Sequence, residues 1–171
     1  MERTEITRRE FLKHLFSASA YPLLQSFIPE QIVDTPSYVL QTEQRIVKLP
    51  YEEIVAWDKT GHVLFDLKGG GWQVSIPPEA YFGKQIDIIT HNYPRGQENW
   101  EEMFFGDYHG VNILNPRVFR IVHKWPKFVM HQVIRTGTFW PNIPEDDFYK
   151  FRGNTRNTWL HMASKYGFVY E

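Results

Sequence analysis

Short apolar runs separated by Gly, Pro and Asp fill the chain from about residue 50 onward, a pattern of short strands and turns. Ile54-Val55-Ala56-Trp57 reads as one strand, Asp58-Lys59-Thr60-Gly61 as a tight turn, and His62 to Leu67 as the returning strand of a hairpin. Lys68-Gly69-Gly70-Gly71 reads as a flexible loop and Trp72 to Ile76 as a third short strand. Pro77-Pro78 then opens a turn or helix up to about Phe82. Gln85 to Thr90 is a buried-strand pattern, followed directly by a loop over His91-Asn92-Tyr93-Pro94-Arg95-Gly96. Glu98 to Val111 reads as a loop and a short helix. Val118 to His123 and Phe128 to Val133 read as a hairpin across Lys124-Trp125-Pro126-Lys127. Pro141 and Pro144 mark another loop. Asp146 to Tyr166 carries helical spacing in two pieces broken near Gly153, with Gly167 as the cap. Upstream, residues 31–37 read as a linker, and Tyr38 to Leu49 as an extended segment whose type the pattern leaves open. There is no internal repeat. Strands with helices between and after them predict an α+β (α/β-like) fold: one central mixed sheet with flanking helices. The division expected is an N-terminal segment over 1–30, a linker over 31–44 and a domain over 45–171.

The N-terminal segment differs in character. Thr7-Arg8-Arg9-Glu10-Phe11-Leu12-Lys13 is followed by a moderately apolar stretch from Leu15 to Ile28, interrupted by Ser17, Ser19, Pro22 and Gln25. It is too short and too interrupted for a transmembrane span. The string resembles a twin-arginine export signal, which implies an exported or periplasmic protein. The other reading is an amphipathic helix that docks on the domain through Phe11, Leu12, Leu15 and Phe16 and leaves the protein in the cytoplasm.

Charge and composition narrow the chemistry. Nineteen Lys and Arg against twenty Asp and Glu give a net charge of -1, which excludes a strongly basic nucleic-acid coat. Arg117, Arg120, His123, Lys124 and Lys127, interleaved with Phe119, Trp125 and Phe128, form a basic-aromatic run. At strand spacing it reads as one solvated and one buried face, so nucleic acid is not the expected partner. Aromatics make up 16% of the chain and supply large side chains to bury. There is no cysteine, hence no disulfide framework and no thiol nucleophile, and any metal must use His, carboxylate, backbone oxygen or water. Gly69-Gly70-Gly71 lacks the Lys-Ser/Thr ending of a phosphate loop.

The informative polar cluster follows the buried strand. In extended backbone His91 and Tyr93 project to the same side. Asp107 lies fourteen residues beyond Tyr93, within reach of an intervening turn, and Glu52 and Glu53 sit just before the hairpin. An imidazole, an oxygen ligand and a carboxylate around one point can hold a divalent metal, with a second carboxylate to take a proton from metal-bound water. A single loop His is more often a hydrogen-bonded structural residue.

Three segments together carry a family resemblance: Glu52 to Gly61, then Gly69-Gly70-Gly71 with Val74-Ser75-Ile76, then Ile88-Ile89-Thr90-His91-Asn92-Tyr93-Pro94-Arg95-Gly96. They resemble the JAB/MPN (JAMM) metallopeptidase-like domains, more narrowly the variant in phage head-morphogenesis and bacterial toxin-like proteins. That variant has an early Glu before a turn Gly, a strand ending in T-H-N-H-P-x-G and a following F-S-x-x-D. Trp159 to Tyr170 is similar to the helix and terminal strand that close some of these domains. The resemblance implies a zinc-dependent hydrolase of amide bonds, acting on a protein or peptide. His91 and Asp107 would be metal ligands, and Glu52, or else Glu53, the general base. Two positions depart from the pattern. Tyr93 stands in place of the second His, and a phenol is a poor zinc ligand at neutral pH. Phe104 stands in place of the Ser that steadies the oxyanion. His109, two residues after Asp107, is the other candidate for the missing nitrogen. The altered site leaves open a second expectation: a non-catalytic binding or structural domain on the same fold.

Overall fold

The turn at residues 58–61 is built as its residue types predict. Asp58 Oδ1 accepts hydrogen bonds from the Thr60 amide (2.8 Å), the Thr60 hydroxyl (2.6 Å) and the His62 amide (3.0 Å). Gly61 takes φ +84, and a Cβ there would lie 3.0 Å from the Tyr38 ring, so two constraints select glycine. The turn joins β1 (Glu53–Trp57) to β2 (Val63–Lys68) in an antiparallel pair. The computed structural model describes residues 34–70, 73–94, 100–123, 129–144, 146–147 and 155–171. Outside the described residues lie the N-terminal segment 1–30, Gly71 and Trp72, Arg95 and Gly96, the turn over 124–127, Gly153 and the Phe104 side chain.

Before β1 comes α1 (Ser37–Ile46), and after β2 the short α2 (Pro78–Tyr81) leads to β3 (Ile88–Asn92). Helix α3 (Trp100–Leu114) crosses over to β4 (Val118–His123), which runs parallel to β3. Strand β5 (Val129–Ile134) pairs antiparallel with β4. Helix α4 (Thr155–Tyr166) then ends at Gly167 (φ +76), whose amide bonds Ala163 O at 2.9 Å, and β6 (Val169–Tyr170) closes the edge. The sheet has six strands in the order β2-β1-β3-β4-β5-β6, mixed because only the β3–β4 pair is parallel. The class is α+β. No helix among the described residues is long and apolar enough to cross a membrane.

Alternation sorts the strand side chains onto two faces. On one, Ile54, Ala56, Phe65, Ile89, Phe119, Ile121 and Val133 pack against Tyr108, Val111 and Leu114 of α3 and Trp159 and Met162 of α4. Helix α1 packs against the other face, which carries Glu53, Thr90, Asn92, Arg120 and Gln132 as well as apolar residues. Glu43 of α1, 1% exposed, accepts from Arg120 Nε (2.6 Å), Arg120 Nη2 (3.0 Å) and Thr90 Oγ1 (3.1 Å). Arg120 also bonds Gln132, which bridges to Glu171.

Four local expectations change. The segment from Tyr38, read as extended, is helical to Ile46, and this helix occupies most of the stretch read as linker. Its buried stripe is Val39, Glu43 and Ile46; a carboxylate in the middle hides the helical period in the sequence. Gln73 to Ile76 forms no strand. Strand β3 begins at Ile88 rather than Gln85 and takes in His91 and Asn92, which were expected in a loop. Strand β4 is buried along its whole length. Arg120 therefore lies in the interior instead of on a solvated face.

Candidate functional site

Hydrogen bonds on the α1 side of the sheet place the first acid. Asn92 Oδ1 accepts from the Glu53 amide (2.7 Å), while its Nδ2 donates to Tyr51 O (3.0 Å). The residue between them, Glu52, is thus clamped at both neighbours, and its own carbonyl accepts from Gly69 N at 2.7 Å. Ile54 pairs with His91 across β1 and β3, so Glu52, two residues earlier, shares the His91 face, and Glu53 points the opposite way. Alternation alone left that choice open. Glu53 is fully buried on the α1 side and forms an ion pair with Arg45.

Glu52, His91, Tyr93 and Asp107 meet at the end of β3. Glu52 Oε1 lies 3.1 Å from His91 Nδ1. His91 Nε2 lies 3.6 Å from Asp107 Oδ1 and has no hydrogen-bond partner. The Tyr93 hydroxyl donates to Asp107 Oδ2. The His91 ring, 1% exposed, is held edge-on by Tyr93 (centroids 4.9 Å apart) and flanked by Phe119 (5.3 Å). These groups line a cavity of about 300 Å³ whose other walls include Ile54, Gln73, Val74, Ile76, Gly110 and Val111. Gln73 to Ile76 escaped the sequence reading because the segment has no pattern beyond a short apolar run. It stays beside the cavity because the chain doubles back at Gly69, where a Cβ would collide with the Gln73 carbonyl. His109 is exposed on α3 and does not line the cavity.

The ionisable groups of this cavity act on one another. Burial opposes protonation of His91, but Asp107 and the hydrogen bond and charge of Glu52 outweigh it and raise the imidazole above its ordinary value. Burial pushes the Asp107 carboxyl up to about 6, held back by His91 and the Tyr93 hydroxyl and pushed further by Glu52. Burial and then Asp107 drive the Tyr93 phenol well above its usual range. That phenol keeps its proton at any physiological pH and acts as a donor.

Comparison with family models, curated proteins and solved structures finds no match. The donor set must therefore be judged on its own geometry. A catalytic zinc needs about three protein ligands around one point. Glu52 engages Nδ1 of His91, Tyr93 presents a proton rather than a lone pair, and Asp107 accepts the hydrogen bond it donates. Among the described residues no group of three or more His, Asp or Glu is arranged to hold a metal ion. The arrangement does not fit a zinc centre. Nor does any Ser or Thr stand among the described lining residues to serve as a nucleophile. What the cavity offers is acceptor oxygens, a histidine poised between two acids, and apolar walls.

Proposed function

We propose that the chain is a non-catalytic binding domain on a JAB/MPN-like scaffold, and that the cavity at the end of β3 takes a peptide segment instead of a catalytic metal. The observation that carries this reading is the hydrogen bond from the Tyr93 hydroxyl to Asp107. It puts a proton donor where the resemblance calls for a second metal-binding imidazole, and it occupies the carboxylate that would be the other ligand. Apolar walls of Ile54, Val74, Ile76 and Val111 suit an aliphatic side chain, and Glu52 and Asp107 suit an N–H donor beside it. The twin-arginine-like segment extends the proposal to an exported protein.

One observation favours a second reading, a metal-dependent amide-bond hydrolase. Glu52, His91 and Asp107, far apart in sequence, converge, and His91 Nε2 lacks a partner. Metal analysis after zinc loading and dialysis separates the two. The binding reading expects no retained zinc in the native chain and close to one equivalent in Tyr93→His, where an imidazole replaces the phenol. One equivalent in the native chain, lost in His91→Ala, overturns it in favour of the hydrolase.

A further inference from the structure

A second cavity, of about 450 Å³, lies at the other end of the central strands. Its walls come from segments adjacent in space and distant in sequence. Lys59 lies in the β1–β2 turn, Lys84 and Asp87 before β3, Asn115 and Arg117 between α3 and β4, and Arg135 and Phe139 after β5. Four cations face one carboxylate. Asp87 is already bound by Arg117 in a two-pronged pair, Nε to Oδ1 at 2.7 Å and Nη2 to Oδ2 at 2.9 Å. The other three positive charges have no carboxylate partner among the described residues.

Arg135 is the most telling of them. Its guanidinium is held by main-chain carbonyls alone: Nε donates to Pro116 O at 3.2 Å, and Nη1 to Gly137 O at 2.9 Å and to Thr138 O. These bonds fix its position without neutralising it. Asp87 offsets its charge in part and Arg117 repels it more strongly, so a cation held in place beside the cavity is a preorganised anion receptor, because little side-chain freedom is left to lose on binding. Lys59 and Lys84, both exposed, add mobile charges at the rim. Two further features distinguish the ligand from a bare anion. Phe139 is 75% exposed on the cavity wall, an uncovered ring of the kind on which bases stack. Asn115, in the left-handed region at φ 49, donates its side-chain amide to Thr138 O at 3.3 Å, leaving its buried Oδ1 as an acceptor with no partner.

We propose that this cavity binds a phosphate-bearing nucleotide, with Arg135, Lys59 and Lys84 on the phosphate, Phe139 against the base and Asn115 Oδ1 accepting from a base amino group. The site shares only the Leu114 wall with the cavity at the end of β3 among the described residues, and its polar groups are different ones. The charge run over residues 117–127 does not reveal it. Among the described residues of that run only Arg117 takes part, and the other cations come from loops that only the folded sheet brings together.

The test is calorimetric titration of the full chain at low salt with adenosine monophosphate, inorganic phosphate and a short single-stranded oligonucleotide. The proposal expects the mononucleotide to bind about tenfold or more tightly than inorganic phosphate. Phe139→Ala should remove that difference and leave phosphate binding intact. The double variant Lys59→Gln/Lys84→Gln breaks no bond within the fold and should weaken all three probes; Arg135→Gln, checked for folding by circular dichroism, should weaken them further. An oligonucleotide that binds more tightly than the mononucleotide identifies a nucleic-acid strand as the source of the phosphate, and equal affinity identifies a free nucleotide. No saturable binding of any probe, or binding that the Lys and Arg variants leave unchanged, overturns the proposal.

Discussion

Removing the Glu43 carboxylate should destabilise the protein severely, and the size of the loss follows from its surroundings. Glu43 and Arg120 are 1% and 2% exposed, joined by bonds of 2.6 and 3.0 Å. Glu43→Ala deletes both bonds and the Thr90 hydroxyl's acceptor and removes the carboxylate that the buried guanidinium faces. Breaking such a pair costs about 3–5 kcal/mol, a fifth or more of a typical domain's ~5–15 kcal/mol. With a urea m-value of ~2 kcal/mol/M, the unfolding midpoint should fall by about 2 M. Glu43→Gln keeps an acceptor and should lose less. Glu43→Leu/Arg120→Met, which replaces both charges by apolar groups, should recover most of the loss, since intact buried pairs gain little over good apolar packing. Urea unfolding followed by tryptophan fluorescence measures all three. A loss below about 1 kcal/mol for Glu43→Ala would mean that Arg120 reaches water and that α1 does not seal this face of the sheet.

Three further outcomes bear on the site and the N-terminal segment. Asp107 titrates near 3.8 unfolded and at about 6 folded, so its stabilising contribution is complete below the unfolded value and fades as pH rises through the folded one, a linkage of about 3 kcal/mol. His91, also raised, works in the same direction. Asp107→Asn should therefore be more stable than the native chain at about pH 8 and lose that advantage near pH 4; a difference that stays constant across this range in thermal melts would contradict the coupling. Gly110 sits inside α3 with nothing within 4 Å of a Cβ. Gly110→Ala should therefore raise stability by about 0.5–1 kcal/mol, whereas Gly110→Leu should block a peptide from the cavity; a destabilised Gly110→Ala would show that the helix wall is closed. A reporter fused to residues 1–35 should be exported in a twin-arginine-competent cell and retained when Arg8 and Arg9 are both changed to Lys; equal export of both fusions would point to another role for the segment.

Local chemistry made part of this molecule legible from residue types alone. The 58–61 turn follows from Asp58 reaching its own downstream amides and from Gly61, and β4 follows from an apolar run whose bounds match the ladder residue for residue. The cap at Gly167 is equally local. His91, Glu52 and Asp107 stood out as candidates because polar side chains cluster after the buried strand and because their order and spacing resemble the JAB/MPN pattern. Other features depended on partners far along the chain. Helix α1 was hidden because the residue completing its buried stripe is Glu43, which can be buried only because Arg120, 77 positions later, meets it. Which of Glu52 and Glu53 faces the cavity depended on the β1–β3 register and on Asn92 gripping the main chain on both sides of Glu52. The hydrogen bond from the Tyr93 hydroxyl to Asp107 joins positions fourteen residues apart and exists only in the folded chain. The basic cavity is assembled from several loops with no common motif. Hydrogen bonds and turns between near neighbours are encoded by the neighbours themselves, whereas burial of a charge, the facing of a side chain and the convergence of distant cations exist only once the sheet has brought their partners within reach.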